Sequence, residues 1–450
     1  MSRKLFFVLF VPLLAMIAGC TSTKVYDDAV YNSSNVWRDL DNLLSQDFSY
    51  YQATLDKSLR QVWEQRADKH KVSNGIFSEP DKIVKALLPK DGLPDKTKCN
   101  NSHGVVLLLH GLYDAPYTMT DLGKVFNEHC LITRYLLLPG HGAHTGDLRY
   151  TKMEDWLRTV RFAVKSIKYK YSGKPVYIAG FSTGGALAIN QALADDSIQG
   201  LFLFAPVLDS KLFAVEGASL FEMCCEYVEK NDEKDSIKYE STTANSVIQV
   251  GYLVERIQRQ FDDGRYLNIP VFVILAKNDY TVPASMTIDL FKDGKLGNEN
   301  YMLVYSPEKI DGSYPVACHN PEQAKIMKGK ITVCNSRFIY HQNGKFKIND
   351  YSHMALTLKP DNHHYGLNGQ YQYCLHYGNN DEKAECLQPK KKQACYGERR
   401  LRGGQHSDFC KKEYTVIRRL TANPLFPHLK SRLSDFIDDL IRKQSSLASH

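Results

Sequence analysis

Ser182 lies between glycines in Gly180-Phe181-Ser182-Thr183-Gly184-Gly185, and this stretch carries the strongest chemical signal of the chain. The apolar run Val176-Tyr177-Ile178-Ala179 precedes it, and a helix-like segment, residues 186–193, follows. A serine on so sharp a strand-to-helix turn is held in a strained backbone conformation with its hydroxyl exposed. Glycines at the flanking positions avoid clashes between strand and helix. The first helical N–H groups, that of Thr183 among them, then point at whatever the serine attacks. The chemistry this predicts is nucleophilic attack on a carbonyl.

A serine hydroxyl is a poor nucleophile near neutral pH. It needs an imidazole to take its proton and a carboxylate to fix that imidazole's tautomer. Asp279 sits just past the apolar run 271–276, and the C-terminal end of such a strand is where a parallel sheet places reactive groups. His353 comes later, giving the order Ser, acid, His. His363, His364 and His376 compete with it, and Asp209 competes with Asp279 because it follows the preceding strand. An oxyanion needs two aimed N–H donors. Thr183 offers one. Leu112 offers the other, because the run 105–109 ends directly in His110-Gly111. His110 reads as a side chain bracing that loop.

These residues need a scaffold. Short runs apolar on both faces recur at 104–109, 131–138 (interrupted at Thr133-Arg134), 176–179, 201–205 and 271–276, as a parallel sheet covered by helices requires. Helical stretches separate several of them. Thr151-Lys152-Met153-Glu154 reads as a capping box, with Trp156, Val160, Val164 and Ile167 on the buried face of the helix it opens. The alternation predicts an α/β fold with a mostly parallel sheet and helices on both faces. The connection between the strands ending near Ala205 and starting at Val271 is too long for a simple crossover. It reads as a helical cap over the sheet's C-terminal edge. Near the N-terminus Trp37, Leu40, Leu44, Phe48 and Tyr51 recur at helical spacing without evident chemistry, and a last helix buries Leu429, Leu433, Phe436, Ile437 and Leu440.

The 450 residues carry a net charge of +7 with basic and acidic side chains interspersed. No basic stripe interleaved with aromatics is present, which argues against nucleic acid as a partner. Arg3 and Lys4 precede the apolar run 5–17, which is too short to span a bilayer comfortably, and Ile17-Ala18-Gly19-Cys20 resembles a bacterial lipobox. That resemblance implies removal of residues 1–19 and lipidation of Cys20. With Thr21 next, it implies outer-membrane delivery in a Gram-negative cell envelope. Removing Cys20 from 11 cysteines leaves 10, an even number that suits disulfides in an oxidising compartment. Cys99 and Cys130 each precede a strand-like run and suggest one bridge. Cys374, Cys386, Cys395 and Cys410 crowd a late segment, where zinc with His376 is the alternative to disulfides, disfavoured by the lack of a close cysteine pair.

The motifs together resemble the α/β-hydrolase superfamily, in the branch of monoacylglycerol lipases, carboxylesterases and serine aminopeptidases. The matching pieces are His110-Gly111-Leu112 with Pro116-Tyr117-Thr118-Met119; Leu138-Pro139-Gly140-His141-Gly142 with Trp156; the Ser182 hexapeptide; Asp279 with Val282-Pro283; Ser352-His353-Met354; and Arg419-Leu420-Thr421-Ala422-Asn423-Pro424. The resemblance implies Ser182 as nucleophile, His353 as general base then acid, Asp279 as its orienter, and Leu112 and Thr183 as oxyanion donors, with no organic cofactor and no metal. The resemblance covers about residues 100–360 and the last helix, and the sequence as a whole divides into a signal peptide (1–19), a tether and helical extension (20–98), a first core part (99–207), a helical cap (208–269), a second core part (270–359), a Cys/Lys-rich insertion (360–413) without counterpart in small esterases and a closing core helix (414–450). Hydrolysis of acyl esters or acylglycerols is the expected activity. The alternatives are a serine aminopeptidase, which needs carboxylates for a free amine that the sequence does not cluster, and a catalytically silent envelope binding protein.

Overall fold

The computed structural model describes residues 28–69, 79–209, 226–231, 233–297, 300–306, 310, 313–316, 328–335, 338–340, 346–348, 350–371, 394–397 and 417–448. Its centre is a nine-stranded sheet. The strands are β1 (Lys90–Gly92), β2 (Gly104–Leu109), β3 (Leu131–Leu136), β4 (Val176–Phe181) and β5 (Ile198–Phe204), then β8 (Val271–Ala276), β9 (Tyr301–Ser306), β10 (Tyr314–Val316) and β11 (Ile331–Asn335). Between them in the chain, β6 (Tyr227–Glu229) and β7 (Thr242–Thr243) pair antiparallel as a separate ribbon. The sheet order is β1-β3-β2-β4-β5-β8-β9-β11-β10, parallel throughout except for the edge pair β1–β3. Every residue of β2, β4 and β8 is buried. Continuous apolar sequence is what strands covered on both faces need.

Helices supply those covers. The main ones are α1 (Phe48–Lys69), α2 (Pro80–Leu87), α3 (Thr120–Glu128), α4 (Met153–Lys170), α5 (Thr183–Ala194), α6 (Ala244–Asp262), α7 (Ala284–Lys292) and α8 (Phe426–Ala448). One face of the sheet buries Val105, Leu107 and Ile178 with Trp156 and Val160 of α4 and Leu253 of α6. The other buries Phe202 and Phe272 with Phe126 of α3 and Phe436 of α8. Phe436 sits 5.4 Å from Phe202 and 5.6 Å from Phe272, ring centre to ring centre. The closing helix is therefore part of the core, as its apolar stripe predicts. A disulfide joins Cys99 to Cys130 and ties the approach to β2 to that of β3.

Three readings are corrected in detail. The helix after Tyr150 starts one residue later than the Thr151–Glu154 box requires. Asp155 accepts the Lys152 N–H at 2.8 Å, and the Thr151 hydroxyl donates to the Asp147 carbonyl instead. The reason is local: Thr151 closes the preceding turn, and the helix opens after Lys152 as its N-cap. The described part of the cap is not purely helical. It holds the β6–β7 ribbon and the long loop between its strands as well as α6. The chain late in the sequence also contributes a second sheet, β12 (Phe338–Tyr340), β13 (Phe346–Ile348), β14 (Ala394–Gly397) and β15 (Ile417–Arg419), with β14 inside the Cys/Lys-rich segment read as an insertion apart from the core. Cys20, Cys374, Cys386, Cys410 and His376 lie outside the described residues.

Candidate active site

Ser182 stands at the C-terminal end of β4, where the chain turns into α5. Its backbone has φ 55° and ψ −119°. A left-handed φ at a non-glycine residue costs about 1–3 kcal/mol and persists only where neighbours enforce it. Here the Ser182 N–H donates to the Phe204 carbonyl at 2.9 Å. Its carbonyl accepts from Gly185, Ala186 and Val207. The flanking glycines are sterically required. A Cβ on Gly180 would lie 2.2 Å from the Gly184 carbonyl oxygen, and one on Gly184 2.3 Å from that of Leu109. The elbow thus forms only with strand and helix backbones in direct contact.

Asp279 follows β8 and is buried. One carboxylate oxygen accepts the N–H groups of Thr281 and Val282, both at 2.8 Å. The other lies 2.5 Å from Nδ1 of His353. His353 opens a 3-10 turn, His353–Leu356, and is buried against Phe181, with ring centres 4.7 Å apart. The preceding residue fixes that turn: the Ser352 hydroxyl donates to the Leu420 carbonyl, and Tyr351 stacks on Tyr305 at 4.4 Å. From β15, Arg419 donates to the Thr281 hydroxyl at 2.9 Å, so one late segment braces both the acid loop and the histidine loop. Ser182 and His353 open on one cavity of about 270 Å³.

Leu112 and Thr183 line that same cavity. Thr183 is the first residue of α5, so its N–H is one of the unpaired donors at a helix start. The competitors fall elsewhere. His364 pairs with Asp235 at 3.1 Å, His363 is exposed, and neither lines this cavity, nor does Asp209.

The loop carrying Leu112 rests on two buried histidines. His110 Nε2 accepts the Leu138 N–H at 3.1 Å, and His141 Nε2 accepts the Tyr113 N–H at 3.2 Å. Both rings are therefore neutral, with the proton on Nδ1 directed at backbone carbonyls. Burial lowers the pKa of His110 to about 4 and that of His141 to about 3. The N-terminal extension backs them: the indoles of Trp37 and Trp63 donate to the carbonyls of His141 and Gly142, and Tyr51 donates to that of Leu137. The sign of the pH effect follows. Folded-state pKa values below the ordinary histidine value mean that stability is full above about pH 6.5 and is lost as pH falls toward 4, by about 1.4 kcal/mol per pH unit for each histidine that stays neutral. Denaturant titrations at pH 7, 6 and 5 should show this fall. A flat profile would contradict the neutral pair.

The remaining lining divides by chemistry. Val207, Val247, Val250, Val282 and Met354 are its apolar part. Asp114, Glu229 and Glu240 with Lys238 and Arg419 form its charged part. Lys238 pairs with Asp114 at 2.6 Å. Burial raises the Glu240 pKa to about 8, against hydrogen bonds from the Lys234 N–H and the Tyr371 hydroxyl. Sequence reasoning missed Asp114, Glu229, Lys238 and Glu240. Only the motif around Arg419 had drawn notice.

Comparison with known proteins fits this architecture. Residues 100–304 match the family described as serine aminopeptidase, S33. The fold of this core is that of an α/β-hydrolase. The chain is 23% identical over 232 residues to the thermostable monoacylglycerol lipase of Bacillus sp. (strain H-257), across 50% of this chain and 88% of that protein. Among solved structures it resembles that reported for the metagenome-derived lipolytic enzymes LipS and LipT, at 17% identity and TM-score 0.40, covering 52% of this chain and 89% of that one. It also resembles a soluble variant of the monoglyceride lipase of Saccharomyces cerevisiae, at 13% identity and TM-score 0.40, covering 47% and 80%. The α/β-hydrolase match begins just before β2 and ends in β9, so it includes Ser182 and Asp279 but stops before His353.

Proposed function

We propose that this α/β-hydrolase cleaves carboxylic esters, with acyl esters or acylglycerols as its substrate class, through Ser182, His353 and Asp279. The observation that carries the reading is the 2.5 Å contact of His353 Nδ1 with Asp279, made by a histidine that shares its cavity with the strained Ser182. Asp279 holds the proton on Nδ1, which assigns the base role to Nε2. The Ser182 Oγ attacks the ester carbonyl while Nε2 takes its proton. The N–H groups of Leu112 and Thr183 receive the oxyanion. The imidazolium then protonates the leaving alkoxide, and water repeats the sequence to release the acid. The apolar residues that line the cavity suit an acyl chain, and the Bacillus relative is named a monoacylglycerol lipase.

Asp114, Glu229 and Glu240 favour a second reading, an aminopeptidase that binds a free amine. Lys238 already neutralises Asp114, and a Glu240 with a pKa of about 8 is largely uncharged near neutrality. That leaves Glu229 alone to meet an amine and weakens the amine site. Rates on p-nitrophenyl esters of several chain lengths and on aminoacyl p-nitroanilides separate the two. Ester turnover at least about 10²-fold faster is expected. Anilide cleavage without ester cleavage would install the aminopeptidase, and no turnover of either would favour a silent binding protein.

We also propose that Cys20 carries the lipid anchor of an envelope protein facing the outer membrane. The expected mass of the mature N-terminus is that of an acylated Cys20. An unmodified or uncleaved N-terminus would contradict this.

A further inference from the structure

The cap reaches down to the loop that carries Leu112 and holds it by three direct contacts and a fourth through His141. Lys238 pairs with Asp114 at 2.6 Å, with both side chains largely removed from water (15% and 2% exposed). The Tyr239 N–H donates to the Tyr113 carbonyl at 2.8 Å. Tyr239 also stacks on His141, the ring that accepts the Tyr113 N–H, with an interplanar angle of 6°. The Tyr113 hydroxyl lies 2.7 Å from that of Ser246, in the first turn of α6.

What this grip acts on is a strained turn. Tyr113 has φ 65°, a conformation that a tyrosine adopts only when its surroundings impose it. The turn closes through the Asp114 N–H to the Gly111 carbonyl at 3.2 Å. Leu112 lies inside it, between Gly111 and Tyr113. The direction of the Leu112 N–H therefore depends on Tyr113 and Asp114, and both are held from the cap. An oxyanion donor works only when aimed within a few tenths of an ångström of where the charge develops.

We propose that Lys238 is a positioning residue for hydrolysis, its ion pair with Asp114 locking the Gly111–Asp114 turn so that the Leu112 N–H points into the oxyanion hole only when the cap is docked. This rests on the ester-hydrolase reading above. Lys238 pairs with Asp114 and not with Ser182, His353 or Asp279. It acts through Asp114 and Tyr113. The cap is then part of the catalytic apparatus as well as a wall of the pocket.

The test compares wild type with Lys238→Met, Lys238→Arg and the double variant Asp114→Asn/Lys238→Met. The double variant removes both charges at once, so that no buried charge is left alone. For each, kcat and KM are measured on one p-nitrophenyl ester, together with the Ki of a boronic acid that forms a tetrahedral adduct with the serine. Expected for Lys238→Met and the double variant is a kcat lower by about 10–10²-fold, KM within threefold, and a boronate Ki raised by the same factor as kcat falls. Lys238→Arg should keep kcat within about fivefold. A raised KM with kcat and boronate affinity unchanged would overturn the proposal and leave Lys238 as a pocket wall. If Lys238→Met fails to fold by circular dichroism, the double variant decides: wild-type kcat overturns the proposal and the reduced kcat sustains it. A wild type that never reacts with a fluorophosphonate would defeat the hydrolase reading itself. A reactive wild type with unaffected variants defeats only the role of Lys238.

Discussion

Asp279→Asn should lower kcat by about 10⁴-fold with little change in KM, and Ser182→Ala or His353→Ala should each remove about 10⁶-fold. The reason is the division of labour at His353. Asp279 holds Nδ1 as the protonated nitrogen through a 2.5 Å contact, and an asparagine amide would donate to that nitrogen instead, leaving Nε2 protonated and unable to act as base. The Thr281 and Val282 N–H groups can still be accepted by the asparagine carbonyl, so the loop should keep its shape. Because the three act as one unit, Ser182→Ala/His353→Ala should be no slower than either single variant. Steady-state kinetics on a p-nitrophenyl ester checks this. Loss of activity that adds from residue to residue would mean that they do not work together.

The second large effect belongs to a residue with no side chain. Gly184→Ala puts a methyl group 2.3 Å from the Leu109 carbonyl oxygen and 2.6 Å from that of His110. Both are backbone atoms at the end of β2, so no rotamer change relieves the overlap. Either α5 shifts away from the sheet or β2 does, and the two potential oxyanion donors, Thr183 and Leu112, ride on those two elements. A stability loss of about 3 kcal/mol is expected, at the upper end for overpacking, together with a fall in kcat of at least about 10²-fold. Thermal melting and kinetics measure both. A variant that melts and turns over like wild type would show that the elbow is looser than described.

The scaffold was legible because its physics is local. Strands buried on both faces must be apolar at every position, and 104–109, 176–181 and 271–276 are nearly so. The Ser182 turn was legible because only glycine fits where two backbones touch. Asp279 and the Cys99–Cys130 bridge followed from position at strand ends. The rest depends on residues distant in sequence that meet only on folding. Lys238 and Asp114 are 2.6 Å apart, yet more than a hundred positions separate them and neither sits in a recognisable pattern. The cap loop reads as ordinary polar surface until Asp235, Lys238 and Glu240 find His364, Asp114 and Tyr371. The helix start at Lys152 was misread because Thr151 satisfied a local motif while serving the turn before it. His110 was read rightly as a brace, but its partner His141 and the tryptophans of the N-terminal extension gave no sequence signal of shared purpose.

The central claim is that Ser182 is the activated nucleophile. Reaction of the purified protein with a fluorophosphonate, followed by proteolysis and mass mapping, addresses it directly. One covalent adduct is predicted, on the peptide that contains Ser182, absent from Ser182→Ala and strongly slowed in His353→Ala. No adduct on the wild type, or equal labelling of Ser182→Ala, would contradict the account.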